Sequence, residues 1–137
     1  MPGKTFLDTN ILVYAVDRDA GPRRETSRKV IESVVADGSG VISTQVMQEF
    51  YVTATRKLSM PPLAAKTVLN TFAVFEIVQI SPALIQDAID CAVLNTLSFW
   101  DALIIAAAAS AGCAQVFTED LNAGQSVLGV AIENPLG

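Results

Sequence analysis

The sequence predicts an α/β protein with a mostly parallel sheet and helices on both faces, and three observations carry that prediction. Short β-branched or aromatic runs alternate with longer segments of helical apolar spacing along the whole chain. No repeat, linker or low-complexity tract interrupts them. The 137 residues, 51% hydrophobic and 17% charged, suffice for one domain over residues 1–137 with a core of its own.

Thr5-Phe6-Leu7 is a strand ending at Asp8-Thr9-Asn10, after which Ile11-Leu12-Val13-Tyr14 begins a helical turn. Pro22 suits the first turn of a second helix, whose Val30, Ile31, Val34 and Val35 recur at helical spacing until Gly38 ends it. Val41-Ile42 is the second strand. Ser43 or Thr44 caps a helix running through Val46, Met47, Phe50, Tyr51 and Ala54 to the basic pair Arg56-Lys57. Pro61-Pro62 opens the next helix, with Leu63, Val68, Leu69, Phe72 and Ala73 on its apolar side, and residues 77–80 form the third strand. Ser81-Pro82 starts a helix to about Leu97. Another runs from Phe99 or Trp100 to Ala111 and stops at Gly112. Gln115-Val116-Phe117 and Val130-Ala131-Ile132 are the fourth and fifth strands. Right-handed crossovers between such strands place the functional crevice outside their carboxyl ends, where strand order reverses.

Composition excludes several chemistries. Histidine is absent, which removes Ser-His-Asp and Cys-His catalysis and His-ligated zinc together. Cys91 and Cys113 fall in predicted helices outside any CxxC pattern and read as buried thiols. The most apolar stretch, residues 102–114, falls short of the ~20 residues of a membrane span. Asp8 and Asn10 interrupt the one run that resembles a signal peptide, so a cytoplasmic protein without a membrane partner is expected. A mean hydropathy of +0.43 is high for a soluble monomer and predicts that a second copy, another protein or both cover apolar surface.

The net charge of −5 hides an asymmetry. All nine Lys and Arg lie at or before Lys66, so residues 1–66 carry a net +2 and residues 67–137 a net −7. A polyanion would meet the N-terminal half, where Arg18, Arg23, Arg24, Arg28, Lys29, Arg56 and Lys57 are the candidate contacts. Singly, each reads as part of a solvated helix face.

Four carboxylates fall where chemistry is expected. Asp8 ends the first strand and Asp120 follows the fourth, so both project from the functional edge; if those strands are neighbours, as in the common order 3-2-1-4-5, the two meet at the switch point. Glu49 lies about a turn and a half into the helix after the second strand, and Asp101 in the first turn of the Ala-rich helix. Each has an ordinary structural reading. Asp8 can cap the following helix, Ser98 and Asp101 have capping-box spacing, Glu49 can lie on a solvated face, and Asp120 can be a turn residue. Their joint placement points elsewhere. Two unit charges about 4 Å apart repel by roughly 4 kcal/mol at an effective dielectric near 20, so clustered carboxylates take up protons or bind a cation. Oxygen-only ligands select Mg²⁺ or Mn²⁺ over zinc, and such an ion activates water and offsets charge on a phosphodiester.

These residues in this order resemble the PIN-domain family, and within it the VapC-type toxin ribonucleases of bacterial toxin-antitoxin pairs. Phe6-Leu7-Asp8-Thr9-Asn10-Ile11-Leu12-Val13-Tyr14 is similar to the family's opening motif, and Ser43 through Glu49-Phe50 to its second. Leu97-Ser98-Phe99-Trp100-Asp101-Ala102-Leu103-Ile104 is similar to the third, and Phe117-Thr118-Glu119-Asp120-Leu121 to the fourth. Any one is short, but four in order at suitable spacing cover essentially the whole chain. The resemblance implies a three-layer α/β/α sandwich and a Mg²⁺- or Mn²⁺-dependent endoribonuclease with Asp8, Glu49, Asp101 and Asp120 as its metal-binding, catalytic acids. It makes Asn10 and Thr118 polar companions in the site and sets Asn122 against metal-bound water. It also implies an RNA substrate, a homodimer, and a cognate antitoxin that blocks the site.

Other classes share parts of this pattern. A haloacid-dehalogenase-type phosphatase also has an Asp after its first strand but needs a second two residues on, where Asn10 stands. A receiver domain needs acids before its phosphorylated Asp and a late Lys, yet no acid precedes Asp8 and no Lys follows Lys66. A PIN-like module that binds RNA or protein without cutting is the remaining alternative.

Overall fold

Each strand and helix expected from the sequence is present in the computed structural model, which describes residues 3–137. Strand β1 (Thr5–Leu7) feeds α1 (Thr9–Val16), and α2 (Pro22–Asp37) leads into β2 (Gly40–Ser43). Helices α3 (Thr44–Arg56) and α4 (Pro62–Thr71) precede a 3-10 turn at Phe72–Val74 and strand β3 (Glu76–Val78). Then come α5 (Pro82–Asn95), α6 (Phe99–Ser110), β4 (Gln115–Phe117), β5 (Ser126–Val127) and β6 (Val130–Glu133). Side-chain caps start four of the helices: Asp8 accepts from the Thr9 amide, Ser43 from Val46, Ser81 from Leu84, and Ser98 from Asp101.

The strands form one sheet in the order β3-β2-β1-β4-β6-β5, parallel except for the β5–β6 pair. One expectation is corrected by this. The sheet has six strands rather than five, because Ser126-Val127 folds back on Val130-Ala131 as a short antiparallel edge. Two residues carry no period-2 pattern, so this strand left no trace in the sequence. The helices pack as two groups, α1 to α4 with one another and α5 with α6, with the sheet as the middle layer of an α/β/α sandwich.

Packing follows from the apolar pattern. Phe6, Leu7, Val41, Ile42, Val116 and Ile132 are fully buried, with at most 1% of their surface exposed, as expected for strands covered on both faces. Helix α6 is buried continuously from Ala102 to Ala108, and its small side chains let its backbone approach the sheet closely. Phe50 and Phe72 meet edge-on at 5.0 Å, and Phe72 packs on Phe75 at 5.9 Å, which seals the sheet beside β2. Gly40 is dictated by that cluster, since a Cβ there would sit 2.7 Å from the Phe75 ring.

Three smaller expectations shift. Leu63, assigned to the apolar side of its helix, is 77% exposed. Cys113 lies beyond α6 in the connection to β4, still buried as a free thiol like Cys91. Helix α5 stops at Asn95, where Thr96 turns left-handed at φ 54°, a cap usually made by glycine. Among the described residues no single helix is long and apolar enough to cross a membrane.

Candidate active site

The parallel order β2-β1-β4 means that β1 and β4 are neighbours with crossovers leaving in opposite directions, so a crevice opens at their carboxyl ends. A cleft of about 550 Å³ lies there, lined by Asp8, Thr9, Asn10, Gln45, Gln48, Glu49, Val52, Thr53, Trp100 and Asp120. Three of the four sequence-assigned acids therefore share one wall-to-wall space. Asp101 stands immediately beside it, one residue after Trp100, and its charge acts on Asp120.

Neutral donors hold these acids in place. Asp8 is buried; one oxygen accepts from the Thr9 amide at 2.7 Å and the other from the Thr118 hydroxyl at 2.8 Å. Thr118 also accepts from the Asp120 amide at 3.1 Å, so a single hydroxyl links the ends of β1 and β4. Glu49 accepts from the Thr9 hydroxyl at 2.5 Å and from the Gln45 amide at 3.2 Å. Asn10 donates to both oxygens of Asp120 at 3.4 and 3.3 Å. Gln45 donates a second time, to the Trp100 carbonyl at 3.2 Å, and so ties α3 to the start of α6.

Burial pushes the Asp8 carboxyl up to about 6, against the pull of its Thr118 and Thr9 hydrogen bonds, with Asp120 and Glu49 adding repulsion. Asp120 is also raised, first by burial and then by the charges of Asp101, Glu119 and Glu49. The acids thus act on one another electrostatically, as expected. They do not meet as a ready-made cage, however: among the described residues no three acid side chains converge closely enough to enclose an ion. The like-charge conflict read from the sequence is relieved instead by Thr9, Asn10, Gln45 and Thr118. An open, all-oxygen donor set of this kind suits Mg²⁺, which takes one or two carboxylates directly and keeps several waters.

Around the rim, the outcome for the other expected residues is mixed. Asn10 lines the cleft, Thr118 reaches it through its bond to Asp8, and Asn122 is exposed and not among the residues lining the cleft. Arg23 is engaged with Glu119 at 3.6 Å and lies over the Tyr14 ring, while Tyr14 donates a hydrogen bond to Glu119. Arg28 donates to the Ala15 carbonyl at 2.8 Å. Arg18 and Lys57 line a separate groove, and Arg56 is exposed at the end of α3. Sequence reasoning missed Thr9, Gln45 and the Tyr14–Glu119–Arg23 group. Gln45 lies four residues before Glu49, on the same helix face, and that spacing is the signal that would have found it.

A PIN-domain model matches residues 5–125. The chain belongs to the PIN-domain family. Among solved structures, this PIN domain is similar to a toxin–antitoxin complex from Klebsiella pneumoniae, with a TM-score of 0.73 and 20% identity over 96% of this chain and 98% of that one. It is similar also to VapC20 of Mycobacterium tuberculosis, a toxin that cleaves the sarcin-ricin loop, with a TM-score of 0.71 and 19% identity over 85% and 92%. The DNA-bound VapBC of Salmonella typhimurium gives a TM-score of 0.71 and 19% identity over 97% and 98%. At these identities the likeness establishes a shared fold. No curated protein matches the sequence.

Proposed function

We propose that this PIN domain is a Mg²⁺- or Mn²⁺-dependent endoribonuclease and the toxin of a type II toxin-antitoxin pair acting in the cytoplasm. One observation carries the reading: four acids from four separate segments gather about a single cleft at the carboxyl edge of the sheet. Asp8, Glu49, Asp101 and Asp120 are the residues that would hold the ion. When bound, such an ion lowers the pKa of water and offsets charge developing on the phosphodiester.

The chain's own amides, hydroxyls and side chains do the positioning. Thr9 and Thr118 each fix one Asp8 oxygen, which sets the plane of that carboxylate relative to the cleft. Asn10 holds Asp120, and Gln45 holds Glu49 while anchoring the turn that carries Asp101. Such preorganisation is what a phosphodiester hydrolase needs, because little reorganisation is left for the reaction itself. Support for RNA as the substrate, and for an antitoxin, comes from the structural relatives, one a cleaver of the sarcin-ricin loop and others toxin–antitoxin complexes. Exposed Leu63, Val74, Val93 and Leu94 support covering of apolar surface by a second copy and an antitoxin.

The direct test is cleavage of total RNA by purified protein with and without EDTA, beside Asp8→Asn and Asp101→Asn. Activity is expected only in the wild type with Mg²⁺ or Mn²⁺. Cleavage that survives EDTA, or that persists in both variants, overturns the assignment.

A further inference from the structure

We infer that Trp100 is a stacking platform for an unpaired nucleobase of the RNA strand whose backbone enters the acidic cleft. The inference rests on the nuclease reading above and deepens it. Large aromatic side chains are mostly buried, yet Trp100 is 62% exposed. It lines the cleft together with Asp8, Glu49 and Asp120.

Trp100 is also held in place. It occupies the first turn of α6, packs edge-on against Phe99 at 5.0 Å and 74°, and has its carbonyl anchored by Gln45. A fixed, exposed ring costs little further ordering when a flat ligand lies on it.

Electrostatics give the ligand. Among the described residues no Lys or Arg lines the cleft, so its side chains offer a polyanion no phosphate neutralisation there. Within the cleft itself, beyond whatever an ion supplies at the acids, affinity must come from the bases. The α3 side of the lining is suited to this, because Gln48, Val52 and Thr53 carry an amide, methyl groups and a hydroxyl, the groups that contact base edges and faces. A base within a duplex has both faces covered, so the substrate must offer an unstacked nucleotide, from a single strand or a loop.

Trp100 is the chain's one tryptophan, so intrinsic fluorescence reports on it alone. The experiment mixes full-length protein and Mg²⁺ with a randomised pool of ten-nucleotide RNA in a stopped-flow cell, reading fluorescence ahead of turnover. A ribose–phosphate strand of equal length without bases is the comparison, and binding is followed separately by polarisation of labelled pool. Quenching by the pool and none by the abasic strand is expected. Trp100→Ala is expected to weaken RNA binding roughly tenfold or more, the loss of one stacked base, with Trp100→Phe restoring most of it. The salt dependence of binding stays unchanged in both variants, because no phosphate contact is lost.

Binding without quenching, equal quenching by the abasic strand, full affinity in Trp100→Ala, or no binding of the pool each overturns the platform. Quenching without cleavage in the same samples supports the platform and sinks the nuclease. Cleavage without quenching does the reverse.

Discussion

Asp8 carries the sharpest conflict between stability and chemistry. Its carboxyl ordinarily titrates near 3.8 but is pushed up to about 6 in the fold by burial. Between those values the folded chain binds a proton that the unfolded chain releases, so lowering the pH from 7 through 6 toward 4 stabilises the metal-free protein, and the gain levels off below 4. Two units correspond to about 3 kcal/mol at most. Asp8→Asn removes this burden, so the variant is expected to be about 2 kcal/mol more stable than wild type at pH 7 and equal to it near pH 4, measured by urea unfolding. Millimolar MgCl₂ should raise the melting temperature of the wild type and leave Asp8→Asn unmoved, because only a folded site with its acids binds the ion. Thr118→Val keeps the volume but deletes a hydroxyl that lowers the Asp8 pKa. That variant should lose about 1 to 2 kcal/mol at pH 7, with the midpoint of the pH dependence moving upward.

Helices and strands were legible where pattern and chemistry coincide. Strand-end Asp8 and the Ser98 turn before Asp101 were readable both as caps and as ligands; the structure makes Asp8 and Ser98 N-caps, with Asp8 lining the cleft and Asp101 just beside it. Ser126-Val127 was not legible, since two residues pair only because β6 is already in place beside them. Thr9 was missed for a different reason: it looks like an ordinary helix residue until the tertiary fold sets α1 against α3, whereas the spacing of Gln45 from Glu49 within α3 was legible and only its bond to Trp100 of α6 required the fold. Thr96 is another element-scale compromise, a β-branched residue in the left-handed region at the end of α5. Thr96→Gly is expected to add about 1 kcal/mol of stability with the cleft untouched, checked by chemical denaturation and an unchanged cleavage rate. Gly40→Ala should go the other way by about 1 to 3 kcal/mol, as its methyl meets the Phe75 ring.

Across the whole molecule, charge and fold divide the labour. The basic residues end at Lys66, whereas Asp101 and Asp120 come from the purely acidic half, so the cleft joins the two halves. Arg18 and Lys57 line a groove separate from the cleft, shared with Asp17 and Asp19, and neither makes a salt bridge among the described residues, which leaves them available to RNA phosphates. Replacing either by Ala is expected to weaken RNA binding across all sequences and to reduce the salt slope by about one, read from polarisation over a salt series. The charge asymmetry was visible in the sequence, but the split of the arginines was not, because Arg23 and Arg28 are engaged by contacts that only folding creates.

The bond between Thr118 and Asp8 spans 110 positions. A growing chain releases Asp8 into solution early, with β2 soon available to lie on one side of β1. The other side stays empty until β4 has been made, and the cleft lacks Asp120 until then. During most of its own translation the polypeptide therefore lacks a complete cleft, and whatever the cleft does is withheld by chain connectivity until residues 115–120 have been made.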